Sequence, residues 1–208
     1  MVDLKEKVAI VTGASAGIGR ASAKLFARAG TKVVVASRRK AELDSLVREI
    51  AGEGGDALAL AGAFAKELVE RAEQSYGRLD VGFNNAGILG EQGPTTGISL
   101  EGWNGTLKVN LTNAFLAAKH QIPAMLKQGK GSIIFTSTFV GYTVGFPGFV
   151  AYAASKSGLI GLRRPSPPNT GRRTFGSTLS SPARSRRRCT KPPMTPPRSG
   201  PISRTYMR

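Results

Sequence analysis

The chain has one cysteine, Cys189, and one histidine, His120. A single thiol excludes a disulfide within the chain, and with no Cys/His cluster the composition gives no expectation of a metal site. The roughly 18 to 20 consecutive apolar residues that a membrane-spanning helix needs are nowhere present. The opening stretch, MVDLKEKVAIVTG, carries acidic residues and only a short apolar run, a pattern unlike a signal or transit peptide, so the expected location is the cytoplasm. What is present is 208 residues, 40% hydrophobic, with 26 glycines. That is enough for one domain with a sizeable core and too little for a two-lobed enzyme.

Acidic residues are also scarce. Thirteen Asp and Glu stand against 30 Lys and Arg, a formal charge of +17 that at first suggests a nucleic-acid binder. The excess is not evenly spread. Residues 1–162 hold 18 Lys and Arg and all 13 acids, whereas residues 163–208 hold 12 Lys and Arg, no acid, nine of the twelve prolines and eight hydrophobic residues. So little apolar surface cannot offset the entropy of ordering 46 residues, and the reading is a folded body, 1–162, with a disordered basic tail, 163–208.

The body alternates short apolar runs with segments of helical periodicity. Expected strands are Lys7–Thr12, Lys32–Ala36, Ala57–Ala61, Asp80–Asn84 and Ser132–Thr136. Expected helices are Gly17–Ala29, Lys40–Ala51, Phe64–Tyr76 and a long stretch, Leu100–Gln128, interrupted at Pro123. Such alternation implies an α/β architecture: a Rossmann-like, doubly wound parallel sheet of five strands in the order 3-2-1-4-5, with its ligand at the carboxyl ends of the strands.

Directly after the first strand comes Thr12-Gly13-Ala14-Ser15-Ala16-Gly17-Ile18-Gly19, opening into a helix. Gly13 permits a tight turn, Gly17 lets the backbone approach a pyrophosphate, and Gly19 lets the helix pack on the strand, while the helix N-terminus offers N–H groups to phosphate oxygens. The second strand ends in Ser37-Arg38-Arg39, where an NAD-specific protein would place an acid for the ribose 2′-hydroxyl; Arg38 suits a 2′-phosphate and favours NADP(H) over NAD(H). Tyr152 and Lys156 lie four residues apart, on one face of a helix, where an ammonium beside a phenol favours the phenolate and so proton transfer near neutrality.

The glycine turn TGASAGIG, Asn84-Asn85-Ala86-Gly87 after the fourth strand, and Tyr152-Ala153-Ala154-Ser155-Lys156 occur in that order, and together they resemble a short-chain dehydrogenase/reductase from about Lys7 to Leu162. The resemblance implies reversible hydride transfer between a nicotinamide cofactor and a small alcohol or carbonyl substrate. It implies a cofactor site from Gly13, Ser15, Ala16, Gly17, Ile18, Gly19, Ser37, Arg38, Asn85, Ala86, Gly87, Tyr152 and Lys156. Tyr152 is then the acid/base, Lys156 also holds the nicotinamide ribose, and Asn110 kinks its helix and supports a water-linked proton relay. The substrate-orienting hydroxyl falls to Thr138, or alternatively to Ser137. Thr138 departs from the family's usual serine, and its spacing to Tyr152 is one residue longer than usual. A second departure is the absence of the family's Asp-Val pair, which contacts adenine after the third strand, because Leu60-Ala61-Gly62-Ala63-Phe64 passes straight into the next helix. Relatives usually form homodimers or homotetramers.

Nothing after Leu162 continues the resemblance. The Arg/Pro/Ser-rich composition is that of GC-rich DNA translated out of frame. If the third base of each codon is joined to the first two of the next, Gly176–Ala183 can be read as VNALLPG. In the same frame Pro168–Gly171, with the last base of Pro167, can be read as AEYG, and Arg186–Thr190 as TPMY. These resemble the missing family segments, in order, and the reading is a single base lost near the codon of Arg163, with activity of this chain impaired or absent. The competing reading takes the tail as functional, either an Arg-rich nucleic-acid segment or an SH3-type ligand at Pro193–Arg198, on a non-catalytic body.

Overall fold

The computed structural model describes residues 3–141, 143–163 and 175–180. Its sheet is parallel throughout, in the order β3-β2-β1-β4-β5-β6. The strands are β1 (Val8–Thr12), β2 (Lys32–Ser37), β3 (Ala57–Ala61), β4 (Val81–Asn84), β5 (Gly131–Thr136) and β6 (Phe175–Ser180). The helices are α1 (Gly17–Arg28), α2 (Lys40–Gly52), α3 (Ala65–Tyr76), α4 (Leu100–Leu107), α5 (Asn113–Leu126) and α6 (Val150–Arg163).

Period-two alternation along the buried strands sorts the core into two layers. Val8, Ile10 and Val34 point to one face with Ile133 and Phe135, packed by Leu68 and Val69 of α3, Met125 of α5 and Leu159 of α6. Val11, Val33 and Val35 point to the other with Phe83, packed by Ala23 of α1 and Leu43, Leu46 and Ile50 of α2. At the amino end of the sheet, buried Asp80 accepts the Val8 N–H at 3.0 Å and also accepts from Arg78 Nε and Nη2, one on each carboxylate oxygen. That holds the amino ends of β1 and β4 in register and leaves the carboxyl ends free to carry a site.

The five expected strands are present in the expected order. Beside β5, where the sequence reading left an open edge, β6 pairs over six residues, from Gly131↔Phe175 to Thr136↔Ser180. An uncovered edge presents a row of unpaired N–H and C=O groups that any extended segment can match. Composition averaged over 46 residues does not register the six that pair here, FGSTLS. Of the out-of-frame segments, Gly176–Ala183 overlaps β6, whereas Pro168–Gly171 and Arg186–Thr190, like Pro193–Arg198, lie outside the described residues.

The long helical stretch does not break at Pro123, and its one interruption falls at Asn110, where the resemblance implies a kink. Pro123 sits inside α5, on the solvent side together with Lys119, so the carbonyl its missing N–H leaves unpaired faces water and the helix runs on. The interruption is instead a π-turn at Lys108–Thr112, between α4 and α5, centred on Asn110.

Candidate functional site

The carboxyl ends of β1, β2, β3, β4 and β5 open on a cavity of about 600 Å³. Its floor is the turn from β1 into α1. Gly13 and Gly17 have φ of +67° and +56°, which glycine adopts without strain. A Cβ on Gly17 would meet nothing within 4 Å, so the backbone there faces open space, while a Cβ on Gly19 would come within 2.3 Å of the Gly13 carbonyl oxygen. Gly19 is thus the close-packing position and Gly17 the open one, the division the sequence pattern implied. No side chain caps α1, and its first turn holds no acid, so its N-terminal N–H groups and partial positive charge remain for an anion. This cradle fits a pyrophosphate.

The segment after β4 is fixed over the cavity by side chains. Thr12 Oγ1 accepts the N–H groups of Asn85 and Ala86 at 3.0 and 3.1 Å, and Asn85 Nδ2 donates back to the Thr12 carbonyl. Thr136 Oγ1 donates to Asn85 Oδ1 at 3.1 Å, bringing the end of β5 into the same arrangement. Asn84 is not part of it. It lines the cavity beside Gln121 of α5 and exchanges two hydrogen bonds of 3.0 Å with it, a buried amide pair that neither strand pattern nor motif signals.

At the β2 end, Arg38 and Arg39 both line the cavity. Arg39 donates from Nε and Nη2 to Ser15 Oγ at 3.2 and 2.9 Å, and its N–H donates to Ser37 Oγ at 3.1 Å. The sequence reading named Ser15, Ser37 and Arg38 but not Arg39. The doubled arginine was the available signal.

At the opposite end stand Gly87, Asn110 and Lys156. Asn110, 2% exposed, accepts the Ile88 N–H on Oδ1 and donates from Nδ2 to the Ile88 carbonyl, each at 2.8 Å, and also to Ser155 Oγ at 3.0 Å. Ser155 Oγ in turn donates to the Tyr152 carbonyl at 2.7 Å, so one amide ties the segment after β4 to α6. Ser155 lies inside the YxxxK motif, yet spacing alone gave no sign of this role. A Cβ on Gly87 would lie 3.1 Å from both Asn110 Oδ1 and Lys156 Nζ, so any larger residue would press on both side chains.

Lys156 is buried, its Nζ donating to the Thr136 carbonyl at 2.8 Å. Burial pushes its ammonium pKa down to about 8. Tyr152 lies one turn earlier on α6, outside the wall of this cavity, with its ring edge-on to Phe149 at 6.5 Å. Ser137 and Thr138 are both buried just beyond β5 and do not line the cavity either. The Ser137 hydroxyl donates to the Lys156 carbonyl at 3.4 Å, whereas Thr138 Oγ1 accepts the Val140 N–H at 3.3 Å and keeps its own proton to donate. Ile18, 46% exposed, also lies off the cavity wall. Among the described residues no group of three or more His, Cys, Asp or Glu is placed to hold a metal, and no helix is long and apolar enough to cross a membrane.

Residues 7–166 match the sequence model of a family described as short chain dehydrogenase. The chain is 39% identical over 163 residues to cyclohexanol dehydrogenase of Acinetobacter sp. (strain SE19), covering 76% of this chain and 64% of that protein. It is 41% identical over 166 residues to the 3-oxoacyl-(acyl-carrier-protein) reductase FabG of Thermotoga maritima, covering 77% and 67%. Among solved structures, a putative short-chain alcohol dehydrogenase from Sinorhizobium meliloti 1021 superposes with a TM-score of 0.73 at 34% identity, over 78% of this chain and 66% of that one. A metagenomic short-chain oxidoreductase in complex with NADP gives 0.71 at 35% identity, over 78% and 75%. The chain spans about two thirds of the length of the curated relatives it matches, 64% of the first and 67% of the second.

Proposed function

The chain belongs to the short-chain dehydrogenase family, whose members are NAD(P)-dependent oxidoreductases, and from that premise we propose that its body, residues 1–162, is built to interconvert an alcohol and a ketone or aldehyde with NADP(H). The observation that carries this reading is the polarity of the cavity. Two arginines stand at one end, a glycine cradle in the middle, and Asn110 with Lys156 at the other. A dinucleotide would lie across it with its 2′-phosphate at Arg38 and Arg39, its pyrophosphate over Gly13 to Gly17, and its nicotinamide ribose at Lys156. Arg39, already steadied on Ser15, adds a fixed fork of donors suited to a phosphate. A structural neighbour that binds NADP agrees with this preference.

The nicotinamide, when bound, supplies or accepts the hydride. The remaining steps belong to the chain. Thr138 Oγ1 donates a hydrogen bond to the substrate oxygen, a role Ser137 is less suited to because its proton is directed at the Lys156 carbonyl. Tyr152 delivers a proton to that oxygen in reduction or removes one in oxidation, with Lys156 one turn further along α6. Asn110 holds the Ile88 backbone and α6 together, so that the relay and the cofactor wall keep one geometry.

As written, the 208-residue chain should turn over little or nothing, because the family segments that the resemblance implies after Leu162 are not read in its frame. Adding one base near codon 163 of the coding DNA tests both halves of the proposal. The restored protein is expected to reduce small ketones with NADPH, and Tyr152→Phe is expected to lower kcat by at least about a hundredfold while leaving NADPH binding within about twofold. Ready turnover by the unmodified chain, or full activity in Tyr152→Phe, would contradict it.

A further inference from the structure

Phe64 stands out among the exposed apolar side chains. It is 80% exposed, more than any other large hydrophobic among the described residues, yet it lines the cavity. The local chain explains its position. β3 ends at Ala61, and Gly62 turns with φ of +71° while its N–H donates to the Ser37 carbonyl at 2.9 Å, holding the turn against the end of β2. Only Ala63 follows before Phe64, whose backbone is extended and whose carbonyl accepts the Leu68 N–H in the first turn of α3. With so short a crossover the ring cannot fold back beneath α3, and it is left beside Ser37, Arg38 and Arg39 at the rim.

Strand order says which end of the ligand would meet it. β2 and β3 lie on one side of β1, and β4 and β5 on the other, next to Asn110 and Lys156. If the redox end of a dinucleotide sits at Lys156, its purine end lies over β2 and β3. No acidic side chain among the described residues lines that end to accept the hydrogens of an exocyclic amine. We propose that Phe64 supplies a stacking face for the purine, and that this protein reads the base by its flat face rather than by its edge. The inference rests on the dinucleotide reading above and goes beyond it: base selectivity is relaxed, so a purine lacking the adenine amine is accepted as well. A π-face offers the same attraction to every purine, whereas a hydrogen-bonded edge would discriminate.

The test uses the full chain and calorimetric binding of three probes: NADPH, its reduced hypoxanthine analogue, and 2′,5′-ADP, which has no nicotinamide. Phe64→Ala is expected to weaken NADPH and 2′,5′-ADP by the same factor, about tenfold, while Phe64→Tyr, which keeps a ring, holds both like the parent. The parent is expected to bind the hypoxanthine analogue within about threefold of NADPH. Unchanged affinity in Phe64→Ala, or loss of about tenfold or more on removing the amine, overturns the stacking inference and leaves the cofactor reading standing. A parent that binds none of the three probes overturns both.

Discussion

Lys156 places a charged group in a buried position, and the cost depends on pH. Its folded pKa of about 8 lies below the ordinary 10.5 because burial disfavours the ammonium. Below pH about 8 both folded and unfolded chains carry the proton, and the folded state bears the full cost of burying the charge. Between about 8 and 10.5 the folded chain has shed the proton while the unfolded chain keeps it, so stability rises with pH until both are neutral. The whole step amounts to roughly 3 kcal/mol by the usual conversion of pKa shift to free energy. Urea unfolding of the parent and Lys156→Met from pH 7 to 10.5 should therefore show the parent gaining on the variant by roughly that amount. A difference that stays flat across the window would contradict the burial argument. For function, the residue holds its charge near neutrality only by a narrow margin.

Among the elements, the π-turn between α4 and α5 is the one that builds the site. An uninterrupted α-helix would carry the 110 side chain along its own regular spiral, whereas the wider turn lets Asn110 meet the N–H and carbonyl of Ile88 as well as Ser155. Asn110→Ala removes three hydrogen bonds at once and leaves partly buried backbone groups without partners. It should cost roughly 2 kcal/mol of stability and speed hydrogen exchange at the Ile88 amide. A loss under roughly 0.5 kcal/mol with unchanged exchange would show that the turn holds its shape without the amide. The strands were legible in the sequence because each is a short apolar run, buried on both faces in β1, β2 and β4, and so was the glycine turn, because Gly13 and Gly17 take positive φ and a Cβ on Gly19 would strike the Gly13 carbonyl. Three features were not. Proline rules for isolated helices do not register that Pro123 faces water, β6 gains its place from an edge supplied by β5, and the Asn84–Gln121 pair joins residues 37 apart.

At the scale of the molecule, β2 and β3 bring Ser37, Arg38 and Arg39 to one end of the cavity, and β4 and β5 lie toward the end that holds Asn110 and Lys156, with β1 and its glycine turn between them. The site residues expected from sequence do not all reach the cavity. Ser15, Ser37, Arg38, Asn110 and Lys156 come to one cavity, while Tyr152, Ser137 and Thr138 lie just beyond it, on the side where β5 and α6 meet. The account stands on the chain being an NADP(H)-binding body with a charge-selective adenosine end. Calorimetric titration of the parent chain with NADPH and NADH tests this most directly, paired with the Arg38→Ala, Arg39→Ala double variant. The account predicts saturable binding of both, NADPH tighter by about tenfold or more, and a double variant in which that advantage disappears while NADH affinity is unchanged. NADH bound as tightly as NADPH by the parent, or no saturable binding of either, would contradict it.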